Sequence, residues 1–89
     1  METAIHFWAS GRVQGVYFRA STQAKAQALG LTGWVKNLAD GRVEGVVCGE
    51  QQAVDTLVQW LAIGPENAFV KQLNTTPETP EVGHQFEIR

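Results

Sequence analysis

The 89-residue sequence predicts an α/β fold in which two helices pack on one face of a small sheet and leave the other face more open. Three observations carry that expectation. Extended and helical patterns alternate as β-α-β-β-α-β, followed by a terminal extended segment. An Asp40-Gly41 dipeptide sits between two runs of strand character, a signal for a hairpin and hence for antiparallel neighbours. Residues 51–62 repeat apolar side chains at helical spacing. The two β-α-β halves form a loose pseudo-repeat. At this length one modest core is expected, and with it a single domain over residues 1–89.

Taken in order, residues 4–10, AIHFWAS, are aromatic and aliphatic and are closed by Gly11, which predicts a first strand. Ile5, Phe7 and Ala9 face one way and His6 and Trp8 the other, as in a central strand with both faces partly covered. From Phe18 to Leu29 there is neither Pro nor Gly. Ala20, Ala24 and Ala28 recur every four residues there, a helix with a small-residue stripe able to approach a sheet closely, and Gly30 is placed to cap it. Residues 32–38, TGWVKNL, read as a second strand, Asp40-Gly41 as a tight turn, and RVEGVVCG as the returning third strand. Gly45 inside it marks a close backbone approach or a bulge. In QQAVDTLVQWLA, Val54, Leu57, Val58 and Leu61 line one helix face, and Gly64-Pro65 ends the pattern. Phe69 to Leu73 reads as a fourth strand, Thr75 to Gly83 with Pro77 and Pro80 as a loop, and HQFEIR as an extended end pairing with a sheet edge.

Composition narrows the function classes. Hydrophobic residues make up 44% and charged residues 18%, a globular balance. Seven Lys and Arg against nine Asp and Glu give a net charge of −2, so polyanions are not generally attracted and no dense basic patch is present. The VEGVVCG strand also lacks the aromatic and basic pattern of an RNA-binding sheet, which argues against a nucleic-acid partner. Cys48 stands alone, without a disulfide partner or neighbours for a zinc site, as expected of a reducing cytoplasm. The start, METAIHFWASGRV, carries Glu2 and reaches Arg12, fitting neither a signal peptide nor a membrane span. A cytoplasmic protein without a membrane partner is the expectation.

The densest chemistry lies in SGRVQGVYFRAS, Ser10 to Ser21, between the first strand and the first helix. Gly11 and Gly15 permit turns that could aim backbone N–H groups at one point, and the helix adds its unpaired N-terminal amides. Such a nest suits an anion with several oxygens. Arg19, in the first helical turn, can bring a two-donor fork to the same point. The spacing is neither GxxxxGK[ST] nor GxGxxG. From pattern alone, a glycine-rich turn with solvated arginines fits equally. Asn37, ahead of the hairpin, could both accept from a water and donate to a phosphoryl oxygen, or simply serve the turn. Cys48 in VVCG reads as a small core residue. His6 and His84 are too isolated to form a ligand cluster, Asp40 belongs to its turn, and Trp34 and Trp60 read as core-edge aromatics.

The segments GRVQGVYFR (11–19), LGLTGWVKNLADGRVEGVVCG (29–49), VDTLVQWLAIGPENAFV (54–70) and FEIR (86–89) together strongly resemble the acylphosphatase family, over nearly the whole chain. The resemblance implies a ferredoxin-like α/β sandwich, a predominantly antiparallel sheet with two helices on one face. It implies hydrolysis of acyl phosphates to a carboxylate and inorganic phosphate by direct attack of a positioned water. A monomer with no cofactor and no metal is the expectation. Arg19 matches the family's catalytic arginine and Asn37 its catalytic asparagine. The phosphate-binding loop matches Arg12, Val13, Gln14, Gly15 and Val16, working with Arg19. Similar domains occur inside larger carbamoyl-transfer maturation proteins, but for 89 residues the free-standing hydrolase is the closer match. An anion-binding module that turns nothing over and a purely structural role are the competing readings.

Overall fold

A computed structural model describes residues 2–80, 83 and 85–89. Its elements run β1 (Glu2–Arg12), α1 (Phe18–Ala28), β2 (Thr32–Asn37), β3 (Val43–Glu50), α2 (Gln51–Leu61), β4 (Phe69–Glu78) and β5 (Phe86–Ile88). The sheet order is β4-β1-β3-β2-β5, the ferredoxin-like arrangement with one strand added. Every ladder is antiparallel except the last, in which β5 joins β2 in parallel. β1 lies between β3 and β4, and its register against β4 shifts at Ser10/Gly11. The shift is a bulge that turns the strand just before it feeds the loop to α1.

Both helices cover one face of the sheet. Phe7 and Ala9 of β1, Val35 of β2, Val43 and Val47 of β3 and Phe86 of β5 form the sheet side of the core, against Phe18 and Ala26 of α1 and Val54, Leu57 and Leu61 of α2. Alternation in β1 is thus as the sequence predicts. Gly45 is the close approach: a Cβ there would lie 2.5 Å from Phe7 Cζ and 2.6 Å from the Trp34 carbonyl oxygen. The α2 face is also as expected, with Val58 half-buried beside it.

Three expectations are corrected. Helix α1 buries Phe18, Thr22 and Ala26, while Ala20, Ala24 and Ala28 are exposed. The alanine period marks a helix but not its inward face, because burying one Phe ring removes far more apolar area from water than three methyl groups. Thr22 enters the core with its hydroxyl satisfied, donating to the Phe18 carbonyl at 2.7 Å. Second, β4 continues through Thr75–Glu78, where a loop was expected, pairing Thr75 with Phe7 and Pro77 with Ile5. As an edge strand it tolerates a proline that a central strand would reject. His84 and part of the expected 75–83 loop lie outside the described residues.

Third, Trp34 lies across the sheet from the helices. His6 stacks on Trp8 with centroids 4.1 Å apart and meets Trp34 edge-on at 5.8 Å. The His6 ring nitrogens face Glu44 at 2.7 Å and Glu78 at 3.3 Å, and Lys36 and Arg89 stand over Trp34. Trp60 instead packs against Phe18, joining the two helices. Among the described residues no helix is long and apolar enough to cross a membrane.

Candidate active site

The β1–α1 loop is held from below by apolar side chains and from the side by an amide. Val13 and Val16 are buried, 1% and 8% exposed, so only their backbones are free to meet a ligand. Gln14 Nε2 donates to the Leu38 carbonyl at 2.9 Å and to the Arg42 carbonyl at 3.0 Å, tying the loop to both sides of the β2–β3 hairpin. Gly15 has φ +74°, and a Cβ there would project into open space. Its glycine identity therefore serves backbone conformation and an unobstructed approach.

Tyr17 caps α1 from a left-handed conformation, φ 62° and ψ 24°, without a side-chain cap. It is the only non-glycine at positive φ among the described residues, a conformation that costs of order ~1–3 kcal/mol. Residues 14–17 form bends rather than hydrogen-bonded turns. Among the described residues the N–H groups of Gln14, Gly15, Val16 and Tyr17 make no hydrogen bond. Four donors at a helix N-terminus, two of them beside left-handed residues, are the raw material of an anion nest.

Arg19 is half-buried in the first turn of α1. Its Nη1 donates only a long 3.5 Å bond to the Arg89 carbonyl, and it makes no ion pair among the described residues, so most of its donors are uncommitted. Asn37 ends β2, is exposed, and its amide makes no hydrogen bond among the described residues. The hairpin beyond it is braced by Asp40, whose Oδ1 accepts from Arg42 N at 3.0 Å and Oδ2 from Arg42 Nε at 2.8 Å. These bonds, the backbone one foremost, hold the Asp40 carboxyl below its ordinary 3.8.

Arg19, Asn37, Gly15 and Val13 line one cavity of about 380 Å³. Tyr17, Phe18, Ala20 and Ile88 complete its wall, while Arg12, Gln14 and Val16 do not line it. Arg12 is exposed at the end of β1 opposite Phe69, and Gln14 acts through the hairpin carbonyls. Tyr17 and Ala20 flank Arg19 in sequence and were within reach of motif reading. Ile88 arrives from β5, almost the whole chain away, and no local signal pointed to it. The cavity thus joins one cation, one bifunctional amide and a set of backbone donors, a combination able to bind a phosphoryl group and position a water. Among the described residues no cluster of His, Cys, Asp and Glu is arranged to hold a metal ion.

Comparison with known proteins follows the same lines. The acylphosphatase of Gloeobacter violaceus is 50% identical over 90 residues, covering 99% of this chain and 97% of that protein. The acylphosphatase structure from Coxiella burnetii matches with a TM-score of 0.95 at 48% identity, over 99% of this chain and 93% of that one. The acylphosphatase crystal structure from Bacillus subtilis matches with a TM-score of 0.94 at 36% identity, over 100% and 99% of the two chains. The acylphosphatase family model matches residues 5–88, and on these grounds the chain belongs to the acylphosphatase family.

Proposed function

We propose that this chain hydrolyses acyl phosphates to a carboxylate and inorganic phosphate, by direct attack of a water held at Asn37 on a phosphoryl group held by Arg19 and the 12–16 loop. The observation that carries the reading is the meeting of Arg19, Asn37 and Gly15 in one cavity beside N–H groups that make no hydrogen bond among the described residues. The phosphoryl oxygens accept from the amides of residues 14–17 and from the guanidinium, donors already in position as charge redistributes. Asn37 accepts a hydrogen bond from the water through its Oδ1 and donates one through its Nδ2 to a phosphoryl oxygen, fixing the line of attack. The bond from water oxygen to phosphorus forms as the bond from phosphorus to the acyl oxygen breaks. The water proton passes to phosphate or solvent.

The leaving group is a carboxylate whose acid has a pKa of about 4–5, so it departs without a proton donor. A site without an acid, a base or a nucleophilic side chain is therefore sufficient. Gln14 enters the mechanism as a brace, keeping the loop and the Asn37 hairpin at one separation. A sequence with a single cysteine suits a cytoplasmic setting.

The test is phosphate release from benzoyl phosphate in chelator-treated buffer, with Arg19→Ala and Asn37→Ala compared after their circular dichroism is matched to the parent. Turnover by the parent that is lost in both folded variants is the expected result. Saturable phosphate binding without turnover would make the protein an anion-binding module instead.

A further inference from the structure

The cavity has two chemically different halves, and the phosphoryl group accounts for only one. Arg19, Asn37 and the loop amides supply the polar half. Tyr17 and Ile88 line the same cavity and are two of the few large hydrophobic side chains exposed among the described residues, at 81% and 41%. Neither covers the core. The Tyr17 hydroxyl makes no hydrogen bond among the described residues. The left-handed backbone at Tyr17 would suit glycine better, yet a full aromatic ring is presented there. Ala20, one step beyond Arg19, adds a small apolar side chain to the same lining. At about 380 Å³ the space exceeds what inorganic phosphate fills and falls within the ~300–1,000 Å³ range of small-molecule sites.

We infer that Tyr17 and Ile88 form an acyl wall, and that the site selects acyl phosphates whose acyl group is apolar and about the size of a ring over those with a short acyl group. The inference rests on the acyl-phosphate reading above. An acyl phosphate is itself bipolar, with a phosphoryl group and an acyl group joined through one bridging oxygen. When its phosphoryl end sits at Arg19, its acyl end lies within the same cavity, against the ring of Tyr17 and the side chain of Ile88. Contact there removes apolar surface of both partners from water.

The readout is the ratio of kcat/KM for benzoyl phosphate to that for acetyl phosphate, measured on the full chain by phosphate release. The intrinsic reactivities of the two anhydrides are the same for every variant, so a change in the ratio isolates the wall. Tyr17→Ala and Ile88→Ala are each expected to lower the ratio about five- to tenfold, and Tyr17→Phe to keep it. Tyr17→Gly relieves the left-handed backbone, so it is expected to raise Tm while lowering the ratio, a pair of effects that a purely structural tyrosine would not give. Ratios within twofold of the parent in Tyr17→Ala, Tyr17→Gly and Ile88→Ala, with both substrates still turned over, would overturn the acyl wall alone. A parent protein that turns over neither substrate would overturn the hydrolase reading and the wall with it.

Discussion

At the scale of single residues, the cavity presents two polar side chains that other contacts among the described residues leave largely uncommitted. Arg19 spends one weak bond on the Arg89 carbonyl, and Asn37 spends none among the described residues. Replacing Arg19 by Ala is expected to lower kcat/KM for benzoyl phosphate by about a thousandfold, and Lys to recover little, because an ammonium cannot present two parallel donors to one phosphoryl group. Asn37→Ala is expected to lower kcat by about a hundredfold while phosphate inhibits nearly as well as in the parent, since the amide positions water more than it binds the anion. Steady-state kinetics with phosphate as inhibitor separate the two, and near-parental turnover in either variant would remove that residue from the mechanism. Local pattern singled out both residues but left their roles open, and the family resemblance supplied those roles; the structure places both on one cavity. Gln14 was legible as part of the loop but not as its brace. Its partners, Leu38 and Arg42, are set by the hairpin's position in space.

Among the elements, the loop and the β2–β3 hairpin act as one unit through Gln14. Gln14→Ala is expected to cost about 1–2 kcal/mol in urea unfolding and to reduce kcat about tenfold. Gln14→Glu is expected to do worse, since a carboxylate would then face two carbonyl oxygens with nothing to donate. Equal kcat in the parent and both variants would show that the brace does not matter. Asp40 adds a pH dependence. Its folded pKa lies below 3.8, so its stabilisation of the hairpin is present at neutral pH and is lost as pH falls from about 3.8 through the lower folded value. Asp40→Asn is therefore expected to be the less stable protein at pH 7 and to match the parent at the acid end, as thermal melts across pH would show. The sequence signalled both helices and the hairpin through period and turn chemistry. It misplaced the end of β4 because Pro77 reads as a breaker until the strand is known to be an edge, and it chose the wrong face of α1 because small residues weigh little against Phe18.

For the molecule as a whole, the order of elements was legible and the pairing geometry was only partly so. The Asp-Gly turn and the β-α-β spacing are local, whereas the parallel docking of β5 on β2 is decided by the space that α1 and β2 leave at that edge. Gly45 shows how the layers constrain each other. Its missing side chain leaves room for the Phe7 ring and the Trp34 carbonyl, so Gly45→Ala is expected to destabilise by about 2–3 kcal/mol and to lower Tm by about 10–15 °C. A Tm unchanged by the substitution would mean that both the Phe7 ring and the Trp34 backbone yield at no cost.

The late position of Ile88 makes the site a clock for the folding reaction. Its wall needs residues 13–20, residue 37 and residue 88 in register, and every strand pair in the sheet other than the hairpin closes a long loop of chain. Such topologies fold in the slow class, on the order of milliseconds to seconds, because loop closure precedes the contacts that reward it. Hydrolysis should return on dilution from denaturant only once β5 has docked on β2, in step with tryptophan fluorescence. An activity phase ahead of that signal would mean that the anion nest assembles before the sheet is complete.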